Sequence, residues 1–454
     1  MKSVIIFRNN LRIEDNPTLF HACKDSNVIP IYIYDKVNFK RDLGSASKYW
    51  LHHALKSLNK SLNNKLNFYC GDSVEILDSI IKSNEVDCIY LDEPFLEDDI
   101  NLHRTISDAM SLNNVNVKTY NSSLLWEPNK ILKDDGTAYK VFSPFYKKRC
   151  LLSFPNSPVG SINKTSFIKI NKTTIDDLDL LDNYPWHDKF EDKWNISETG
   201  AMDTFSSFLN NSIYEYKKGR DFPGINKNSK LSPYIRFGMI SVHRIWEMLS
   251  LIENDENIIH FKSEIGWREF SYYLLHHFPY MENQNLQTKF DNFKWENDND
   301  LFIAWTKGET GFPIIDAGMK ELWNTGYMHN RVRMITASFL VKNLLIDWRL
   351  GEKWFWDCLF DADPASNIAG WQWTAGTGAD AAPYFRIFNP MLQGNKFDGN
   401  GIYTKKYIPS LSEVPLKYLQ NPHDSGLDLS YTKPIIDYRF SRERSLRRYN
   451  EIKQ

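Results

Sequence analysis

Short apolar runs rich in β-branched residues recur through the first quarter of the chain, and stretches of helical periodicity separate them. Residues 4–7, 28–34, 66–70 and 86–91 read as buried strands, whereas 46–63 and 73–83 place apolar residues at helical spacing. Such alternation predicts a parallel sheet with helices on both faces. Residues 126–199 are rich in Asn, Lys, Ser, Pro and Asp and hold no sustained period, so they read as a connector. Beyond 200, strand-like runs give way to helical patterns at 202–218, 241–253, 264–277, 315–324 and 331–347. The expected architecture is α/β followed by all-α. A doubly wound parallel-sheet domain occupies 1–125, a connector 126–199 and a helical domain 200–454.

Composition narrows the function classes. With 25% charged and 42% hydrophobic residues the chain has the makings of packed cores, not of a disordered polymer. Its formal charge of −2 excludes a general polycation, so any nucleic-acid binding must come from a local basic surface. The five cysteines contain no C-x-x-C pair, which argues against a Cys-ligated zinc or iron–sulfur centre, and the sequence offers no convincing cluster of metal ligands. No apolar run approaches about 18 residues, so no membrane span is expected, and neither is a leader; a reduced, cytoplasmic protein is the expectation.

Ordinary catalytic signatures are missing. The first strand is not followed by G-x-G-x-x-G, and no G-x-x-x-x-G-K-[ST], H-E-x-x-H or G-x-S-x-G occurs. Aromatic residues make up 14% of the chain. A large helical core accounts for that fraction, but an aromatic pocket with charged walls and no nucleophile points to a cofactor that does the hard chemistry.

Three segments carry candidate chemistry. In Glu264-Ile265-Gly266-Trp267-Arg268, Glu264 and Trp267 share a helical face, which suits a flat heterocycle needing a stacking surface and an acceptor. In Tyr327-Met328-His329-Asn330-Arg331-Val332-Arg333-Met334, residues Asn330, Arg333 and Met334 open the inward face of an apolar helix. A buried Arg333 calls for an anion, and Asp361 and Asp363 are candidates, while a structural ion pair is the alternative. His329 reads as a satisfied histidine. The third segment, Asn367 to Gly378, is dense in small residues around Trp371 and Trp373 and runs on to Tyr384-Phe385-Arg386-Ile387-Phe388-Asn389-Pro390. The stretch from Phe440 to Tyr449 reads as an exposed basic helix with a solvated face.

At these residues, and from Phe7-Arg8-Asn9-Asn10-Leu11-Arg12 onward, the chain resembles the photolyase and cryptochrome family, specifically the class I cyclobutane pyrimidine dimer photolyases. The resemblance implies an antenna domain, a connector and a helical domain that holds FAD. Tyr216, Ser229, Leu231 and Ser232 match the cradle for the FAD phosphates, with Asn228 and Phe261 departing from the residues relatives often carry there. Asn330, Arg333, Asp361 and Asp363 match positions around the isoalloxazine and adenine, and Asn367 the side chain facing flavin N5, where plant cryptochromes carry Asp. Glu264, Trp267, Met334 and Trp373 match the pocket for a dimer flipped out of DNA. Histidines at the positions of Asn330 and Met334 would mark a (6-4) photolyase, and neither is present. Trp295, Trp348 and Trp371 match the electron-transfer chain, and Arg220, Arg268, Arg331 and Arg386 match sites near the dimer or its flanking phosphates, with Lys396 beside them.

The implied activity is light-driven repair of cyclobutane pyrimidine dimers in single- or double-stranded DNA by electron transfer from excited reduced FAD, a carbon–carbon lyase reaction. An antenna chromophore, either reduced folate or 8-hydroxy-deazaflavin, and a monomeric state accompany it. A cryptochrome-like blue-light photoreceptor and a light-independent flavin oxidoreductase are the alternatives.

Overall fold

The computed structural model describes residues 2–24, 27–162, 166–181 and 185–452. It divides into two compact units. The first comprises Met1–Tyr139, Ser143–Asn210 and Ser229–Pro279, and the second Lys140–Phe142, Asn211–Asn228 and Tyr280–Gln454. Among the described residues no helix is long and apolar enough to cross a membrane.

In the first unit, strands β1 (Lys2–Phe7), β2 (Asn27–Tyr34), β3 (Asn67–Cys70), β4 (Cys88–Asp92) and β5 (Asn116–Tyr120) form a parallel sheet of order β3-β2-β1-β4-β5. The register sets Val4 beside Ile29 and Ile89 at its centre. Helices α1 (Pro17–Ala22), α2 (Ser45–Ser61), α3 (Ser73–Asn84) and α4 (Glu97–Leu112) connect the strands. Val4, Ile29, Ile31, Leu77, Ile80, Ile89 and Ile106 bury together. At about 1.5–3 kcal/mol per buried aliphatic side chain, this cluster explains why the β-branched runs were legible as strands. The edge strand β5 was not, because its residues are intermediate or exposed and lack an apolar run.

The connector is built into the sheet. Strand β6 (Ser166–Phe167) pairs with β2, and buried Asn67 takes the amides of Ile170 and Asn171 while donating to Pro30 and Ile168. A 7-residue helix α5 (Phe142–Lys148) precedes it.

The sheet reverses its order between β1 and β4, the place where open α/β folds bind ligands. Here that place is filled by protein. Arg12, 2% exposed, donates to the carbonyls of Glu14, Asp15, Ser122 and Gly238. Gly238, at φ +61°, lies so close that a Cβ would meet the Asn9 carbonyl oxygen at 1.9 Å. Gly238→Ala is therefore expected to cost about 1–3 kcal/mol, and an unchanged urea midpoint would contradict that close approach.

Helices α6 (Glu198–Asn211), α8 (Ser232–Arg236), α9 (Val242–Ser250) and α10 (Glu256–His277) fall in the unit of the sheet, and short α7 (Tyr216–Gly219) belongs to the second unit. Polar contacts explain the packing: Glu198 accepts from the amides of Ile13 and Glu14, and Glu269 from those of Leu125 and Trp126. Packing thus runs across the expected boundaries at 125 and 199.

The second unit holds α11 (Asn299–Lys307), α12 (Pro313–Thr325), α13 (Asn330–Ser338), α14 (Trp348–Cys358), α15 (Pro364–Ala375), α16 (Pro390–Phe397), α17 (Ile402–Tyr407) and α18 (Tyr438–Glu451). The continuous helix expected over 331–347 is not continuous: α13 stops at Ser338, a π-helical turn spans Phe339–Asn343, and Leu345 adopts φ +53°. The Leu345 carbonyl accepts the amides of Glu296 and Asn297, which fixes the reversal. Apolar periodicity persists through the segment while the backbone turns, so the pattern could not reveal the break.

Candidate functional site

In the first unit α10 carries Phe261, Glu264, Trp267 and Arg268. Asp255 caps the helix by accepting from the amides of Asn257 and Ile258. Phe261 is buried against Phe208 at 4.8 Å. Glu264 lies one turn from His260, 3.7 Å away, and Trp267 meets Phe270 edge-on. Arg268 donates to the Ser123 carbonyl and pairs with buried Glu269 at 2.8 Å, leaving 16% of its side chain exposed. Much of its hydrogen-bonding capacity is thus spent within the unit. In the same unit Ser229 accepts the Leu231 amide, and Lys230 at φ +53° turns the chain so that Leu231 caps α8 while Ser232 stays exposed.

Burial pushes the Glu269 carboxyl up to about 7, against the pull of Arg268 and the two amides. Folding then favours its protonated form. Its stabilising contribution is complete below the unfolded value of 4.5 and is lost as pH rises through about 7. Thermal melts of Glu269→Gln should show a flatter dependence across that window, and a slope identical to wild type would remove Glu269 as its source.

In the second unit His329 caps α13, its Nδ1 accepting the Arg331 amide at 3.2 Å. Burial, reinforced by nearby arginines, lowers its pKa to about 3, so the ring is neutral and the cap persists at working pH. The His329 amide donates to buried Glu321, which also accepts the Tyr403 hydroxyl at 2.6 Å. That framework positions Asn330, exposed at the start of α13, and Arg333 one turn on. Arg333 donates to the Met328 carbonyl at 2.7 Å and to Asp361 at 2.9 Å, so the expected pair is formed. Asp363 instead caps α15 through the Ser366 amide. Tyr216 is buried under the Arg220 guanidinium, and Asn228 is half-buried near the end of the same segment.

Asn367 shows a feature that no sequence pattern announces. Its Nδ2 donates to the Glu352 carboxylate at 2.7 Å and to the Glu352 carbonyl at 3.2 Å. Both partners are acceptors, so the amide orientation is fixed and Oδ1 faces the other way. A reduced flavin, which carries an N–H at N5, is the complement of that oxygen; the Arg333–Asp361 pair, with Arg333 on the helix α13 that contacts α15, adds donor and acceptor groups suited to its polar edge. The residues fit FAD on this ground. Glu352 is 15 positions from Asn367, on another helix, and nothing in the sequence singles it out.

The three tryptophans differ in exposure. Trp371, on α15, is 3% exposed, Trp348 at the start of α14 is fully buried with its indole N–H on Asn285, and Trp295 is half-buried beside Phe293. Phe355 lies edge-on to Trp371 at 4.9 Å.

One open groove of about 1030 Å3 gathers Met334, Trp373, Arg331, Arg386 and Lys396. Arg331 is paired there with Asp221 at 2.7 Å and lies over the Phe397 ring. No motif in the sequence marks Asp221 as the partner of Arg331. Arg386 is exposed, and its carbonyl is held by buried Lys342 of the π-helical turn. Burial, with Arg386 adding to it, lowers the Lys342 pKa to about 7.

Comparisons with known proteins show what the chain is similar to. Residues 3–159 match the family model described as DNA photolyase, and residues 261–451 the FAD binding domain of DNA photolyase. A deoxyribodipyrimidine photo-lyase of Agrobacterium fabrum (strain C58) is 40% identical over 471 residues, covering 99% of this chain and 98% of the relative. Cryptochrome-2 of Arabidopsis thaliana is 33% identical, covering 97% of this chain and 78% of that protein. A crystal structure of a bacterial class III photolyase from Agrobacterium tumefaciens matches with a TM-score of 0.95 at 39% identity, over 100% of this chain and 98% of that one. The class I placement does not find support in that match. Fold, cofactor domain and full-length similarity together show that the chain belongs to the photolyase and cryptochrome family.

Proposed function

We propose that the chain is a deoxyribodipyrimidine photo-lyase that repairs cyclobutane pyrimidine dimers in damaged DNA, acting as a cytoplasmic monomer. The observation that carries the reading is the basic groove in which Trp373 and Met334 stand among Arg331, Arg386 and Lys396. An indole there offers a stacking face to an extruded base, and the cations answer to the flanking phosphates.

When bound, reduced and excited by light, FAD supplies one electron to the dimer and recovers it once the two cyclobutane bonds have opened, with no net redox change. In the first unit Ser229, Leu231, Ser232 and Phe261 would serve FAD; in the second Tyr216, Asn228, Asn330, Arg333, Asp361, Asp363 and Asn367 would. Glu352 holds the Asn367 amide with its oxygen turned the other way, where it would be a neutral acceptor for the cofactor. In the first unit Trp267 would offer a stacking face, Glu264 a hydrogen-bond acceptor and Arg268 a cation to the lesion; in the second Trp373 would stack on an extruded base and Arg220 would support the nucleotide. Trp371, Trp348 and Trp295 carry an electron inward from solvent.

Illuminating reduced holoprotein with thymine-dimer DNA should yield monomeric thymines, and none should form in darkness. Absence of light-dependent splitting would reject the repair reading in favour of a cryptochrome-like receptor. Trp373→Ala should weaken binding of lesion DNA by about 1–3 kcal/mol, the value of one base stacked on an aromatic ring. Equal affinities by titration would place the lesion elsewhere.

A further inference from the structure

The groove does not end at the residues assigned to the lesion. Its far wall is α18, whose Tyr438, Arg439, Arg442 and Glu443 line it. These positions fall on one helical face. An adjoining face anchors the helix: Ser441, Ser445 and Tyr449 are buried, Asn343 donates to Ser441, and the Tyr384 and Ser445 hydroxyls meet at 3.1 Å. Arg444 is consumed by the Asn343 carbonyl and Glu296.

Arg439 and Arg442, by contrast, are exposed and enter no ion pair among the described residues. The charged groups of the groove are Arg331, Arg386, Lys396, Arg439 and Arg442 against Asp221 and Glu443, five positive and two negative. This local excess of three positive charges stands out on a chain whose formal charge is −2. Without α18 the excess falls to two, and Asp221 is already engaged by Arg331.

We propose that α18 is a second DNA contact, in which Arg439 and Arg442 hold phosphates of the strand flanking the lesion. The inference rests on the reading of the groove as the lesion site. Charge complementarity and continuity with Trp373 identify the occupant as a nucleic-acid backbone. A polyanion held by exposed, unpaired arginines gains affinity chiefly by releasing counterions, so the contact has a salt signature.

The test uses FAD-loaded full-length protein and a duplex oligonucleotide carrying one thymine dimer, with dissociation constants measured across a salt series. Arg439→Ala combined with Arg442→Ala should weaken binding on the order of tenfold at low salt. It should also reduce the slope of log affinity against log salt by about two, roughly one per phosphate contact. Lysine at both positions should restore the slope, and Arg447→Ala, on the same helix but off the groove, should leave it unchanged. An unaltered slope in the double alanine variant, or an equal loss in Arg447→Ala, would overturn the proposal. Should the double variant lose its melting transition, the single variants carry the test, each expected to lower the slope by about one. Failure of the underlying reading looks different: wild-type protein would then neither prefer the lesion duplex nor split the dimer in light.

Discussion

Arg333→Ala is expected to destabilise the protein by about 3 kcal/mol and to strip it of FAD. Asp361 keeps only 5% of its side chain exposed, and in the variant it loses its cationic partner 2.9 Å away. Breaking a buried pair costs about 3–5 kcal/mol; the lower end applies because 23% of the Arg333 side chain is exposed. Burial works against the Arg333 charge, yet Asp361 outweighs it and the guanidinium pKa is raised. The Met328 carbonyl, just before the capping His329, loses its donor as well. Urea midpoints and the ratio of bound FAD to protein are the readouts. Arg333→Lys keeps the charge but not the fork that reaches both acceptors, so it should fall between the two. A wild-type midpoint in Arg333→Ala would mean that the pair contributes nothing.

Trp371→Phe should slow photoreduction of the oxidised holoprotein at least about tenfold, a barrier increase of about 1.4 kcal/mol, while prereduced protein loses far less of its repair rate. Phenylalanine fills most of the volume but is a poorer electron donor than indole. The site is close-packed: a Cβ on Gly351 would stand 2.2 Å from the Trp371 ring and 2.5 Å from Leu340. Gly351→Ala should therefore displace the indole and reproduce the defect without removing it. Flash photolysis from the oxidised state separates the two steps. If both activities fell equally in Trp371→Phe, the residue would belong to repair itself and not to electron supply.

The relation between pattern and structure is clearest where charges are concerned. Arg331, Arg268, Arg386 and Arg439 are alike in sequence. Arg331 is neutralised by Asp221, 110 positions away, and Arg268 is drawn into Glu269 and the Ser123 carbonyl. Arg386 and Arg439 remain exposed. The C-terminal helix read as a solvated basic stretch for the same reason. Arg444 is held in an anchoring ion pair while Arg439 and Arg442 line an open groove, and spacing along the helix alone cannot assign them.

What the chain determines by itself is whatever depends on neighbours a few positions away. Strands β1 to β4, the absence of a phosphate loop and the family motifs around Trp267, Arg333 and Asn367 are all of that kind. Only the tertiary structure decided the turn after Ser338, the filling of the sheet's switch point by Arg12 and Gly238, and the assignment of residues 229–279 to the first unit. It also fixed the direction of the Asn367 amide through Glu352. Hydrogen bonds and ion pairs act over about 3 Å in space whatever the separation along the chain, so the partners that orient a functional group are invisible until the helices have packed.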